Sequence, residues 1–554
     1  YFLERIMAHN LPHGKNLGSV NTNMVGYSSS VVTNHWLASM VGRDILSKGG
    51  NAFDAACAVS FMLGVVEPQM SGIGGDGFIM MFDKSEDKVS VINATGPAPE
   101  FSNKIDKNLP FKSIRSASIP GLVSGVIKMH ESKGSISLEQ CMRPAIRAAS
   151  EGVPLSEDQG QSLLNESEIN KFPSSMKIWG KNRNYKNFGD NVINKDLAST
   201  LNKISLNGSS AFYNGEVAKK IVDYSNKNGG YISLKDLEGF EAETVDPIST
   251  NYKGYEVYES PPNSSGITLL QQLNIIENFD LSILEPGTHS SIHAMAEAKR
   301  LAFYDREKYL ADPKYISIPI EKLLSKDYAR SQFNLISMDK RINERKLEIN
   351  YSPDRVGDTT YFCILDSHGN AISQLQSIQT QWGSGDVVEG TGILMNNRMT
   401  YWHLDKNHIN NLVPGKRVRH TMNPVMIFKK QNNKNNLRLI CGTPGADTQV
   451  QTNMQTISSF IDFNYKVGEA VSMPRWTHYQ NLTESTIPHS IKTHINLENR
   501  FGADVKKRLE SLGHNVEMCG PWEGKGSVGM ISVDDKGLIG GAVDPRRDGQ
   551  ALVW

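Results

Sequence analysis

The chain has 554 residues, with 59 Lys+Arg against 59 Asp+Glu, so its formal charge is zero. That balance excludes the basic excess of a nucleic-acid binder, and 39% hydrophobic with 21% charged residues excludes disorder. The longest near-continuous apolar run, Cys57 to Val66, is about half of the roughly 20 residues a membrane span needs, so no integral membrane protein is expected.

At roughly 150 residues per domain the length allows about three to four units, or one large interlocked body. The visible start, Tyr1-Phe-Leu-Glu-Arg, lacks the basic region and apolar core of a signal peptide, and a cytoplasmic location is expected. The first clear helix covers about 34–48 and stops at Gly49-Gly50. Asn51 then caps a second helix, with Asp54 in its first turn. Its small residues Ala52, Ala55 and Ala56 allow close packing, and Glu67-Pro68 ends it.

The cluster Ser71-Gly72-Ile73-Gly74-Gly75-Asp76-Gly77 contains a literal GxGxxG. A dinucleotide site needs a strand before the cluster and a helix after it. The order here is reversed, so a tight helix-to-strand connection is expected, with Phe78–Phe82 as the strand. Gly520 to Ser527 likewise has the wrong spacing for a phosphate loop.

Residues 121–330 read as mostly helical, and about 336–358 as a charged, mobile linker. Thr359–Asp366 is then β-branched and aromatic, a strand that turns at Ser367–Asn370 into Ala371–Gln376. Further hairpins are expected at 424–441 and 529–543, with a helix over about 447–461 between them. The pattern implies antiparallel sheets covered by helices. The five cysteines, Cys57, Cys141, Cys363, Cys441 and Cys519, show no CxxC spacing. They read as scattered buried thiols, with neither disulfide nor zinc site. His130 and His478 read as surface or core residues rather than ligands, and no metal or cofactor is expected.

A threonine that opens a strand after a linker has a chemical use. If the Asp358–Thr359 bond is cut, Thr359 gains an α-amine whose pKa of about 8 suits a general base for its own hydroxyl. The bland alternative is a β-branched residue that merely starts a strand.

The sequence around it resembles the γ-glutamyltranspeptidase family of N-terminal-nucleophile hydrolases. The resemblance rests on Gly49 to Ala56, Glu67-Pro68 with Ser71 to Gly75, Ile119-Pro120-Gly121, and Asp358-Thr359-Thr360-Tyr361. It continues through Gly383-Ser384-Gly385, Gly390 to Leu394 with Asn397, Gly442 to Gly445, Pro474-Arg475 and Asp544-Pro545-Arg546. These pieces are in order over nearly the whole chain.

The resemblance implies an α+β fold, a four-layer αββα sandwich. It also implies a precursor that cuts itself into residues 1–358 and 359–554, two subunits of one body. Thr359 would be the nucleophile, with Thr360 its rival, and Ser377 its hydrogen-bond partner. The N–H groups of Gly445 and Ala446 would form the oxyanion hole, where Ala446 replaces a usual glycine. Substrate recognition departs from the family pattern. Thr95 stands where an Arg is expected, Tyr401 replaces an Asp, and His420-Thr421 replaces a serine pair. The loop between Trp402 and Arg419 is short.

With Gln376-Ser377 and Asn397-Arg398, these features resemble the acylase and oxamate-amidohydrolase branch. Arg398, with His420, would then bind a carboxylate or oxo group of a small amide, with Gln379, Tyr401, Thr421 and Thr95 around it. A structural ion pair is the competing role for Arg398. Glutathione hydrolysis or γ-glutamyl transfer is the alternative activity. An unprocessed, inactive homologue with a binding role is the third reading.

Overall fold

A computed structural model describes residues 23–105, 109–166, 168–182, 184–343, 358–431, 434–480 and 492–554. Two seven-stranded sheets form its centre. In chain order their strands are β1 (Met24–Gly26), β2 (Ser30–Thr33), β3 (Asp76–Asp83), β4 (Lys88–Ala94), β5 (Glu243–Val245), β6 (Ile248–Tyr252) and β7 (Tyr255–Glu259). They continue as β8 (Thr360–Leu365), β9 (Ala371–Ser377), β10 (Val425–Gln431), β11 (Lys434–Gly442), β12 (Gly529–Val533), β13 (Ile539–Val543) and β14 (Gln550–Val553). One sheet runs β1-β13-β12-β11-β10-β7-β6 and the other β14-β2-β8-β9-β3-β4-β5. Every neighbouring pair is antiparallel.

Side-chain alternation explains the layering. From β8, Tyr361, Cys363 and Leu365 enter a core between the sheets, where they join Phe78, Met80 and Phe82 of β3 and Met426 and Phe428 of β10. The alternate residues Phe362 and Ile364, with Ile79 and Met81, face outward onto helices α1 (Trp36–Ser47), α2 (Ala52–Val66), α3 (Leu122–Lys133) and α4 (Leu138–Glu151). On the far side Val425, Ile427 and Leu439 meet α5 (Gly266–Ile276), α6 (His289–Tyr309) and α7 (Gln449–Ile461). The result is the expected helix–sheet–sheet–helix sandwich. Burying a large apolar side chain contributes about 1.5–3 kcal/mol, so three such cores hold the layers together.

Asn51 caps α2 as expected, Asp54 closes a capping box with it, and Glu67 caps the other end. The glycine cluster is a helix-to-strand connection. A Cβ on Gly75 would run into Ser377 O, so the connection can lie against β9 only without a side chain there. The stretch expected to be mostly helical also contains the β6–β7 hairpin. Its two-residue turn uses Lys253 (φ 50°) and Gly254 (φ 86°), the left-handed pair that matches strand twist.

Of the segment expected to be a linker, residues 344–357 lie outside the described residues. The part before them is docked. Arg341 N donates to Leu512 O (2.8 Å) and Ser337 O meets His293 Nε2 (2.7 Å). Among the described residues no helix is long and apolar enough to cross a membrane.

Candidate active site

The site lies where β8, β9 and β3 end side by side. Thr360 pairs with Gln376 and Ser377 with Asp76. Thr359, one step before β8, is 2% exposed, and its N–H donates to Asp358 Oδ1 (2.9 Å). Ser377 Oγ donates to the carbonyl oxygen of Asp358 (2.7 Å) and accepts from Gln379 N (2.8 Å). The expected neighbourhood of Ser377 and Thr359 is present, but the hydroxyl engages the carbonyl of the Asp358–Thr359 bond. Asp358 N donates to Gln379 O (2.7 Å), so Gln379, at φ 87°, meets both Ser377 and Asp358.

The carboxylate of Asp358 is held from elsewhere. Arg547 Nη2 donates to Oδ2 (2.7 Å) and Gln381 Nε2 lies at 3.2 Å. Thr360 Oγ1 donates to Glu67 Oε2 (2.6 Å), which occupies the rival hydroxyl. Burial pushes the Glu67 carboxyl up to about 7, partly opposed by that hydrogen bond and by Arg547. Neither Arg547 nor Glu67 is among the sequence-derived site residues. Arg547 follows the Asp544-Pro545-Arg546 motif directly, a signal available in the sequence.

Arg398 is 1% exposed. Its Nε and Nη2 donate to Asp76 Oδ2 (3.0 Å) and Oδ1 (2.7 Å), and Nη1 donates to Gln379 Oε1. His420 Nε2 also meets Asp76 Oδ2 (3.2 Å). Burial, reinforced by the Arg398 charge, lowers His420 to about 4, so its ring is neutral near pH 7. The Asp76 carboxyl is held below its ordinary value by Arg398 and His420 against the cost of burial. The ion pair expected as the competing role of Arg398 is therefore present, and Asp76 is the partner that sequence reading left in the glycine cluster.

Thr95 sits apart from this pair. Its Oγ1 donates to Asn93 Oδ1 (2.6 Å), and its carbonyl accepts from Arg417 Nε (2.8 Å). Asn263 links it to His420, because Asn263 Nδ2 reaches Thr95 Oγ1 (3.2 Å) and His420 N donates to Asn263 O (2.7 Å). Tyr401 donates to Asp447 Oδ1 (3.1 Å), directly after Ala446. Thr421 is 5% exposed and its carbonyl accepts from Asn423 Nδ2 (2.6 Å). The short loop after Trp402 closes on itself through His403 N to Asn410 O (3.0 Å).

Gly445 has φ 121°, and Ala446 keeps a left-handed φ of 51° despite its side chain. Thr448 N and Oγ1 both donate to Gly445 O (3.0 and 2.7 Å) and pin the turn. Among the described residues no backbone acceptor meets the N–H of either Gly445 or Ala446. Two adjacent open donors in a fixed turn can stabilise an oxyanion.

Residues 38–554 match the family model for gamma-glutamyltranspeptidase. The glutathione hydrolase-like YwrD proenzyme of Bacillus subtilis is 36% identical over 541 residues, covering 96% of this chain and all of that protein. The glutathione hydrolase proenzyme of the same organism is 31% identical, covering 95% of this chain and 92% of that one. The crystal structure of cephalosporin acylase from Bacillus halodurans superposes with a TM-score of 0.86 at 30% identity, covering 99% and 98% of the two chains.

Proposed function

The chain belongs to the gamma-glutamyltranspeptidase family and is an enzyme of it, and from that premise we infer that Thr359 is the nucleophile, first against its own chain and then against a small, carboxylate-bearing acyl amide. The hydrogen bond from Ser377 Oγ to Asp358 O carries this reading. In the first reaction Thr359 Oγ1 attacks the Asp358 carbonyl carbon. Ser377 stabilises the oxyanion that forms on the atom it already holds. The C–N bond then breaks, the Thr359 nitrogen takes a proton, and Asp358 is left as an ester on Thr359. Water hydrolyses the ester and leaves the amine that later serves as base. The relatives named proenzymes support a processed precursor.

In the second reaction Thr359 Oγ1 attacks the substrate carbonyl. Gly445 N–H and Ala446 N–H receive the oxyanion, the amine leaves, and water releases the acyl group. Arg398 addresses the substrate carboxylate through Nη1, the nitrogen that meets Gln379 in the uncut chain. Asp76 holds its other two nitrogens. Neutral His420 completes the Asp76 end, and Tyr401, Thr421 and Thr95 shape the surroundings through their partners. A second reading, glutathione hydrolysis, gains support from Arg417, a cation that lies at Thr95 O where the family places an Arg.

Denaturing gels and amide assays test the proposal. The wild type resolves into two bands, and Thr359→Ala stays one band and hydrolyses nothing. A Thr359→Ala chain that still cuts itself overturns the nucleophile. Glutaryl and oxamate amides should outpace γ-glutamyl anilide, and robust glutathione turnover would decide for the second reading. A wild-type chain that remains whole after prolonged incubation would mean an inactive binding homologue.

A further inference from the structure

The uncut chain already holds an acyl group in the site. Asp358 is the acyl half of the bond proposed to be cut, and each of its polar atoms has a partner. Its carbonyl oxygen accepts from Ser377 Oγ (2.7 Å), and its N–H donates to Gln379 O (2.7 Å). Its Oδ2 accepts from Arg547 Nη2 (2.7 Å) and Gln381 Nε2 (3.2 Å), and its Oδ1 from Thr359 N (2.9 Å). Asp358 is 9% exposed, so this cradle works largely out of water.

The proposed self-cleavage passes through an ester of Asp358 on Thr359 Oγ1. A substrate acyl group is carried by the same oxygen in the second reaction, so the first ester is chemically an acyl-enzyme with its acyl group already seated. Two carbon atoms separate the carbonyl of Asp358 from its carboxylate, the spacing of a succinyl group. Hydrolysis frees Asp358, and Arg547 then loses its direct counter-ion. The other contact of its guanidinium, from Nη1 to Met70 Sδ (3.5 Å), is with a weak acceptor. Against the cost of burial, Asp358 leads the charges that keep Arg547 protonated, ahead of Asp158 and Glu67. Burial raises both of those carboxyls above their ordinary values, and Glu67 already accepts from Thr360 Oγ1. A largely buried guanidinium whose direct partner has gone is costly, so the emptied cradle favours a new carboxylate.

We propose that the cradle vacated by Asp358 is the acyl subsite of the processed enzyme, and that it selects a four-carbon dicarboxylic acyl group, succinyl or α-aspartyl, with its carboxylate on Arg547 and Gln381. The proposal rests on the amidohydrolase reading and names its acyl group. An α-aspartyl group would also place its ammonium at Gln379 O. Arg398 Nη1 meets the side chain of Gln379 instead, so the two cations attend different parts of the substrate. Thr359 Oγ1 gives its proton to the α-amine and bonds the acyl carbon. The amide C–N bond breaks, and the leaving amine takes that proton. Water hydrolyses the ester, the dicarboxylate departs, and Thr359 is restored.

The test compares processed wild type with the uncut Thr359→Ala chain, in which Asp358 still fills the cradle. Titration calorimetry with succinate should show binding to the processed enzyme and none to the uncut chain. Butyrate, which lacks the second carboxylate, should bind about 10²-fold more weakly or worse. In kcat/KM, succinyl and α-aspartyl anilides should exceed butyryl anilide by about 10²-fold or more, and glutaryl anilide by about tenfold. Equal binding of succinate to both forms, or butyryl or glutaryl turnover that matches succinyl, overturns the proposal. A wild type that never cuts itself also overturns it, because the cradle is never vacated. The substrate series needs no variant to fold. Turnover without a preference for succinyl removes the subsite and leaves the amidohydrolase reading intact, whereas succinate bound without turnover of any amide does the reverse.

Discussion

Ser377 and Asp76 face each other across β9 and β3, yet they serve different ends. Ser377 holds the carbonyl of Asp358, in the bond proposed to be cut. Removing one oxyanion donor typically costs about 10²–10³ in rate. Ser377→Ala should therefore slow chain cleavage by about that factor without preventing folding, as a time course on denaturing gels would show. Asp76 instead offsets a buried guanidinium. Loss of one partner from a buried ion pair costs about 3–5 kcal/mol, so Asp76→Asn should lower unfolding stability by that order in urea titrations. A fall below about 1 kcal/mol would show that Arg398 finds other compensation.

At the scale of elements, α2 ends where β8 begins, and Glu67 receives the Thr360 hydroxyl there. The buried carboxyl has a folded value of about 7 against an ordinary 4.5. Over that window the folded chain keeps a proton that the unfolded chain has lost. The group therefore favours the fold fully below about pH 4.5, and this contribution is lost as pH rises towards 7. Glu67→Gln removes the titration. Its melting temperature should fall less than that of the wild type between about pH 5 and about pH 8 in thermal denaturation. An equal fall would assign the pH dependence to other groups.

Elements with local signals were legible in the sequence. The cap at Asn51, the polar turn at Ser367–Asn370 and the β-branched and aromatic run of β8 each specify their own geometry, and the structure follows them. The β6–β7 hairpin was hidden because its turn pair, Lys253-Gly254, carries only one glycine within a polar stretch that reads as helical. Asp76 and Arg547 were not legible for a different reason. Their partners lie far away in the chain, and no spacing rule connects them. Thr359 and Ser377 stood out through their motif, but the atom that Ser377 engages emerged only from the packing of β8 against β9.

Across the whole molecule, residues on both sides of Asp358 share both central sheets. β2 and β3 flank β8 and β9, while β7 pairs with β10. The core between the sheets likewise mixes Phe78 and Phe82 with Tyr361 and Met426. Cleavage would remove one covalent bond and none of this burial. The two pieces should therefore co-elute in size-exclusion chromatography under native conditions and separate only in denaturant. Early separation would contradict a shared core.

Strand β14 and the residues just before it tie the edge of the sheet that carries β8 to the Asp358–Thr359 bond. β14 pairs with β2, Trp554 O accepts from Ser28 N (2.7 Å), and Arg547 clamps Asp358 (2.7 Å). Residues 547–553 thus complete the sheet that holds Thr359, from β14 at its edge to the Arg547 clamp on Asp358. Chains shortened to end at Arg546 should accumulate whole and inert, because neither the clamp nor the closing strand arrives. Efficient self-cleavage by such shortened chains would show that it needs neither the clamp nor the closing strand.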